Sequence, residues 1–194
     1  GLRKLHQVHP LPAPLHNIES FDISNVSNNH IVASMVRFVN GIPDNQGYRR
    51  YQVKTVQGQD DFASMAEVVR RRYSRILLEN NVPNSSNQER PLDALRRLAR
   101  EGKSPLHIPN LVIVDGGKGQ LGMAVRELTR LGLDDLPVIG LAKQHEEIFR
   151  YGSTEPLRLK PSTSQLAGTR MSSHPATSTS SRKKPIGRSS GVGA

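Results

Sequence analysis

The chain reads as an α/β fold: a mixed sheet that opens as an antiparallel meander, continues with parallel strands and carries flanking helices. Three observations predict it. Three strand-patterned segments follow one another with short links between residues 18 and 55. From Asp61 the apolar spacing lengthens to that of a helix. From Leu111 a strand, a glycine turn, a helix and a second strand follow in the order that parallel pairing needs.

Ile18 to Ser24 is the first strand and His30 to Asn40 the second, in which Val32, Val36 and Phe38 share one face and Arg37 takes the other. Gly41-Ile42-Pro43-Asp44 is a turn. Tyr48 to Thr55 alternates Tyr51 and Val53 with Arg50, Gln52 and Lys54, the pattern of a half-exposed third strand. Phe62, Met65, Val69, Tyr73 and Ile76 are then spaced 3, 4, 4 and 3 apart, which puts them on one face of a helix. Asp60 or Asp61 stands at its start, where exposed N–H groups favour a carboxylate. Arg70, Arg71 and Arg72 fall on the opposite face, solvated or turned to phosphate. Residues 80 to 110 read as an insertion, an Asn- and Ser-rich loop around a short helix opened by Pro91 and carrying Leu92, Leu95 and Leu98.

Leu111-Val112-Ile113-Val114 is an unbroken aliphatic run, the mark of a strand buried on both faces. After the glycine turn a helix holds Leu121, Val125, Leu128 and Leu131 inward and ends near Gly132. Pro137 to Ala142 is a further buried strand, and Glu147 to Tyr151 its hairpin partner.

Composition limits the function classes. Among 194 residues, 27 Lys and Arg against 17 Asp and Glu give a net charge of +10, which favours a polyanionic partner. With no Cys, disulfides and thiolate metal sites are excluded, so any metal must take carboxylate, His or backbone oxygen ligands. No apolar run approaches the roughly 18 residues of a membrane helix. The Gly1-Leu2-Arg3-Lys4-Leu5-His6 start lacks the apolar core of a signal peptide, so a cytoplasmic location without membrane association is expected. Because the chain opens at Gly1 rather than Met, a fragment of a longer protein is expected too.

Residues 1–17, with three Pro and three His, read as a linker, and residues 18–160 as the folded domain. Residues 161–194 hold 13 Ser or Thr, five basic residues and no acid, without apolar periodicity, and are expected to form a disordered basic tail. That tail carries half of the +10, so the folded part is only mildly basic.

Asp115 closes the aliphatic strand and is followed at once by Gly116-Gly117-Lys118-Gly119-Gln120. A phosphate loop of the nucleotide-hydrolase type needs wider glycine spacing and a Lys-Ser or Lys-Thr close, which this turn lacks. Asp22 lies in mid-strand between Phe21 and Ile23, where a lone carboxylate is costly. A cation shared by Asp22 and Asp115 would be Mg²⁺ or Mn²⁺, and it would bridge them to a nucleic-acid phosphate for phosphodiester hydrolysis. Structural alternatives stand beside this: a helix cap for Asp115 or Asp61, and a salt bridge from Asp22 to Arg49 or Lys118. Lys118 and the helix start after Gly119 are candidates for a phosphate anchor, and Tyr48-Arg49-Arg50-Tyr51 sets paired cations between aromatics.

Phe21-Asp22-Ile23-Ser24, Val32-Ala33-Ser34-Met35, Tyr48-Arg49-Arg50-Tyr51, Gln59-Asp60-Asp61-Phe62-Ala63-Ser64-Met65, Arg70-Arg71-Arg72-Tyr73, Val114-Asp115-Gly116-Gly117-Lys118-Gly119-Gln120-Leu121 and Gly140-Leu141-Ala142-Lys143 together resemble the C-terminal nuclease domain of UvrC, a subunit of the bacterial UvrABC excision nuclease. The resemblance implies a ribonuclease H-like fold. It implies a metal-dependent endonuclease of nucleotide excision repair, cutting damaged double-stranded DNA 5′ to a lesion after UvrB has been loaded there, with UvrA acting upstream. Asp22, Asp61 and Asp115 match the family's functional carboxylates, which makes all three catalytic and metal-ligand candidates. Arg49, Arg50, Arg70, Lys118 and Lys143 are the DNA-binding candidates. The family's site also has a His on a later helix. Arg170-Met171-Ser172-Ser173-His174 keeps the spacing, but Pro175 and the Ser/Thr run depart from the helical pattern. His174 is thus the catalytic candidate there, and the alternative function is a catalytically impaired DNA-binding remnant.

Overall fold

A computed structural model describes residues 15–27, 30–56, 58–83, 89–142, 147–153 and 155–158. Its strands are β1 (Asn17–Ser27), β2 (His30–Val39), β3 (Ile42–Pro43), β4 (Arg49–Gln52), β5 (Leu111–Asp115), β6 (Val138–Ala142), β7 (Glu147–Arg150) and β8 (Leu157–Arg158). Three helices accompany them: α1 (Asp61–Glu79), α2 (Pro91–Arg100) and α3 (Lys118–Arg130). All eight strands form one sheet in the order β3-β2-β1-β5-β6-β7-β8, with β4 also on β2. β1 pairs antiparallel with β2 and parallel with β5, and β5 pairs parallel with β6. The antiparallel half does come first and the parallel half second. The meander has one element more than its sequence shows: the turn after β2 contributes the two-residue β3.

The sheet has two unlike faces. One is covered by all three helices and carries Glu19, Phe21, Ile23, Ala33, Met35, Val112 and Val114. Met65, Val69, Tyr73 and Ile76 of α1 are fully buried there, each contributing roughly 1.5–3 kcal/mol by leaving water. Leu92 and Leu95 of α2 are 1 % exposed and belong to the same core. The short helix expected within residues 80–110 is therefore a core element. The other face carries a smaller cluster of Leu15, Ile18, Leu111, Ile139 and Ile148, flanked by Phe38, Ile113, Leu141 and Leu157.

Helix ends follow local chemistry. α1 is capped by Asp60, whose Oδ1 accepts from the Phe62 and Ala63 amides at 3.0 and 2.9 Å. It stops where Asn81 turns left-handed at φ 53°, while the Asn80 amide donates to the Ile76 and Leu106 carbonyls. α3 ends at Gly132, whose φ of 70° favours glycine.

Two expectations for α1 fail, for physical reasons. Phe62, assigned to the inward face, is 54 % exposed, its ring lying against Gly119 at the start of α3. Arg72, assigned to the outer face, is buried. Its Nε donates to Glu19 Oε2 at 3.2 Å and its Nη2 to Glu19 Oε1, while the Tyr73 hydroxyl donates to Glu19 Oε2 at 3.1 Å. A carboxylate on the helix-covered face of β1 draws the guanidinium inward, since a charge there needs a partner.

Candidate active site

The parallel register between β1 and β5 sets the site. Ile18 faces Leu111, Ser20 faces Ile113 and Phe21 faces Val114. Asp22 and Asp115 each follow one residue later, at the same level of neighbouring strands, about 4.8 Å apart at Cα for ordinary strand spacing. Phe21 and Val114 point into the helix-covered core, so by strand alternation both carboxylates lie on the opposite face. Asp115 pairs there with Leu141 of β6 and Asp22 with Ser34 of β2. The Ser24 hydroxyl, two residues along the same face, donates to Asp22 Oδ2 at 3.3 Å.

The cap alternatives resolve by position. Asp60, not Asp61, caps α1, leaving Asp61 as the half-buried first residue of the helix. The N-cap residue of α3 is Gly117, which has no side chain to offer the helix, and Asp115 stands two residues before it.

The turn between β5 and α3 is tightly built. The Gly116 amide donates to the Leu141 carbonyl at 3.0 Å, and a β-carbon on Gly140 would stand 3.0 Å from the Gly116 carbonyl oxygen. These glycines let β6 approach the turn that carries Asp115. Lys118 opens α3, and its Nζ lies 5.7 Å from the centre of the Phe149 ring, a cation–π contact.

The other basic candidates divide between the faces. Arg50 pairs with Ser34, which also pairs with Asp22, so Arg50, Ser34, Asp22 and Asp115 form one row across four strands on the carboxylate face. Arg49 pairs with Met35 and is on the helix face. Its Nη1 donates to the Gln46 and Tyr48 carbonyls at 2.8 and 2.7 Å. Arg70 is half exposed and turned to Glu127 of α3, 4.0 Å away. Lys143 and His174, with the linker up to residue 14 and the tail from 161, lie outside the described residues.

Two carboxylates offer oxygen ligands alone, which suits a hard cation such as Mg²⁺. Among the described residues no three His, Cys, Asp or Glu side chains gather to hold a metal. A two-carboxylate set still fits Mg²⁺, which keeps several waters and is commonly bound through one or two carboxylates.

The family model for the UvrC RNAse H endonuclease domain matches residues 6–171. The chain belongs to that family. UvrABC system protein C of Synechococcus sp. (strain JA-3-3Ab) is 42 % identical over 165 residues, 83 % of this chain and 22 % of that protein. Its counterpart from Methanosphaera stadtmanae is 45 % identical over 156 residues, 80 % of this chain and 23 % of that protein. The chain thus spans under a quarter of the length of these curated relatives. A crystal structure of human ENDOV is a remote likeness, with a TM-score of 0.35 and 18 % identity over 71 % of this chain and 49 % of that one. The ribonuclease H-like architecture expected from the motifs is the architecture of this UvrC domain. Among the described residues, no helix is long and apolar enough to cross a membrane.

Sequence reasoning missed Glu19 and Arg75. A charged residue two before an aromatic core position was the available signal for Glu19. The arginine run at 70–72 hid which of its members turns inward.

Proposed function

We propose that this UvrC domain is a Mg²⁺- or Mn²⁺-dependent endonuclease of nucleotide excision repair that hydrolyses one phosphodiester of damaged double-stranded DNA on the 5′ side of the lesion. UvrB would position the DNA, with UvrA acting upstream in lesion recognition. The observation that carries the reading is the shared level of Asp22 and Asp115 on adjacent parallel strands of one face. Like charges side by side on neighbouring strands repel, and a cation with a phosphodiester is the partner that such a pair accommodates best in a basic chain.

Asp22 and Asp115 would hold the cation, which when bound stabilises negative charge on the phosphate and makes water a better nucleophile. Asp61, at the start of α1, orders the edge of the site. The first turn of α3, whose N-cap is Gly117, and Lys118 receive a neighbouring phosphate, where helix amides and a cation combine. Arg50, in the row with Asp22, takes a phosphate further along the same strand. His174 and Lys143 complete the candidate set.

The test is nicking of lesion-containing duplex DNA with Mg²⁺ or Mn²⁺. Activity that Asp115→Asn abolishes supports the proposal, and binding without nicking, unchanged by that substitution, overturns it in favour of a DNA-binding remnant.

A further inference from the structure

On the helix-covered face, behind edge strand β4, a cleft of about 440 Å³ is lined by Arg49, Tyr51, Arg71, Arg72, Arg75 and Glu79, and Arg50 borders it as well. Arg50 is its link to the carboxylate row, because β4 alternates: Arg50 pairs in that row, while Arg49 and Tyr51 take the helix-covered face. We propose that this cleft is a second nucleic-acid phosphate site, which holds the DNA backbone after it passes around the edge of the sheet. The proposal rests on the nucleic-acid reading given above.

The charge count supports an anion. Arg72 is neutralised by buried Glu19 and Arg71 by Glu67, whose Oε1 accepts from Arg71 Nη1 at 3.0 Å. Arg75 meets Glu79 at 3.4 Å, both well exposed, an ion pair that water screens to little strength. Arg49 is held by two backbone carbonyls, which fix its position without cancelling its charge. With Arg50 left aside for its own face, four guanidinium groups, Arg49 among them, converge with the three carboxylates Glu19, Glu67 and Glu79, and net positive charge remains.

The geometry supports a backbone phosphate rather than a base. Arg71 lies over the Tyr51 ring, 5.5 Å from its centre, so that ring face is already taken and cannot stack a base. Arg71 is also tied to the Gln52 carbonyl at 2.8 Å, which sets its remaining N–H groups in a fixed fork suited to phosphate oxygens. Two strand spacings, about 10 Å, separate β4 from β1, and a DNA strand held by Arg50 in front has only the width of β4 to cross to reach the cleft.

The experiment measures binding of the 194-residue chain to a fluorescein-labelled DNA duplex in EDTA, by anisotropy across a salt series, so that it does not depend on cutting. Arg49→Gln/Arg75→Gln should weaken binding and reduce the log–log salt slope by about 2, since each lost phosphate contact removes about 0.9. Arg100→Gln, an exposed arginine of α2 away from the cleft, should change neither. Circular dichroism of the double variant must match wild type; if it does not, the single Arg75→Gln should lower the slope by about 1. An unchanged slope in a folded variant, or an equal loss in Arg100→Gln, overturns the cleft. Failure of the wild-type chain to bind DNA at all would instead overturn the nucleic-acid reading beneath it.

Discussion

The ring of Phe62 lies so close to Gly119 that a β-carbon there would stand 2.5 Å from it. Phe62 is the second residue of α1 and Gly119 the second of α3, so this contact locks the starts of the two helices together beside the turn that carries Asp115. Gly119→Ala should keep the fold, because the exposed ring can swing aside and alanine favours the helix by about 1 kcal/mol. It should nevertheless lower nicking by displacing the start of α1. Adding Phe62→Ala to it should restore part of the rate, and a single-variant rate equal to wild type would show that the contact does not matter.

Metal should stabilise the fold through the carboxylate pair. At a hundredfold excess over its Kd, Mg²⁺ or Mn²⁺ should add about 2.7 kcal/mol to unfolding, seen as a rise in Tm. Asp22→Asn/Asp115→Asn should lose that rise and, without metal, should be no less stable than wild type, because two like charges have been removed. A metal-dependent Tm shift retained in the double variant would refute this.

The buried Glu19–Arg72 pair predicts asymmetric costs. Arg72→Met leaves Glu19 with only the Tyr73 hydroxyl and should cost about 3–5 kcal/mol in urea unfolding. Glu19→Gln/Arg72→Met, with no charge left to compensate, should cost less than Arg72→Met alone. Equal losses would mean that the pair acts through packing rather than charge.

Glu67 predicts part of the acid response. Burial raises its pKa, but donation from the Thr55 hydroxyl, the Thr55 and Lys54 amides and Arg71 outweighs that and holds it below the ordinary glutamate value. In the window between the lowered folded value and the unfolded one the unfolded chain binds more protons, so stability falls as pH drops through it. Glu67→Gln should flatten that part of the stability–pH curve while lowering stability at neutral pH. A curve parallel to wild type would assign the acid loss elsewhere.

Much of the architecture was legible in the sequence because its signals are periodic. The aliphatic run at 111–114, the glycine turn and the spacing through α1 and α3 name their elements without tertiary information. The parallel level of Asp22 and Asp115 was not legible, since register depends on how β1 and β5 meet 90 residues apart. Arg72 was misplaced for a related reason: helical spacing gives its face, but only the position of Glu19 on a distant strand decides that it turns inward. Phe62 was misplaced because periodicity gives a face of the helix but not which neighbour, here Gly119 of α3, its first turn meets. The helix opened by Pro91 was legible, but its place in the main core was not, since ten residues carry too short a pattern to say what they pack against.

The outermost strands of the sheet have a consequence beyond the site. β3 and β8 have two residues each, and β4 has four, with Arg49 and Arg50 exposed. Growth of the sheet by addition of another copy needs a long, uncharged rail of unpaired N–H and C=O groups. Among the described residues neither border offers one, and on β4 any second copy would bring arginine against arginine. The edge that draws in a polyanion thereby discourages self-association.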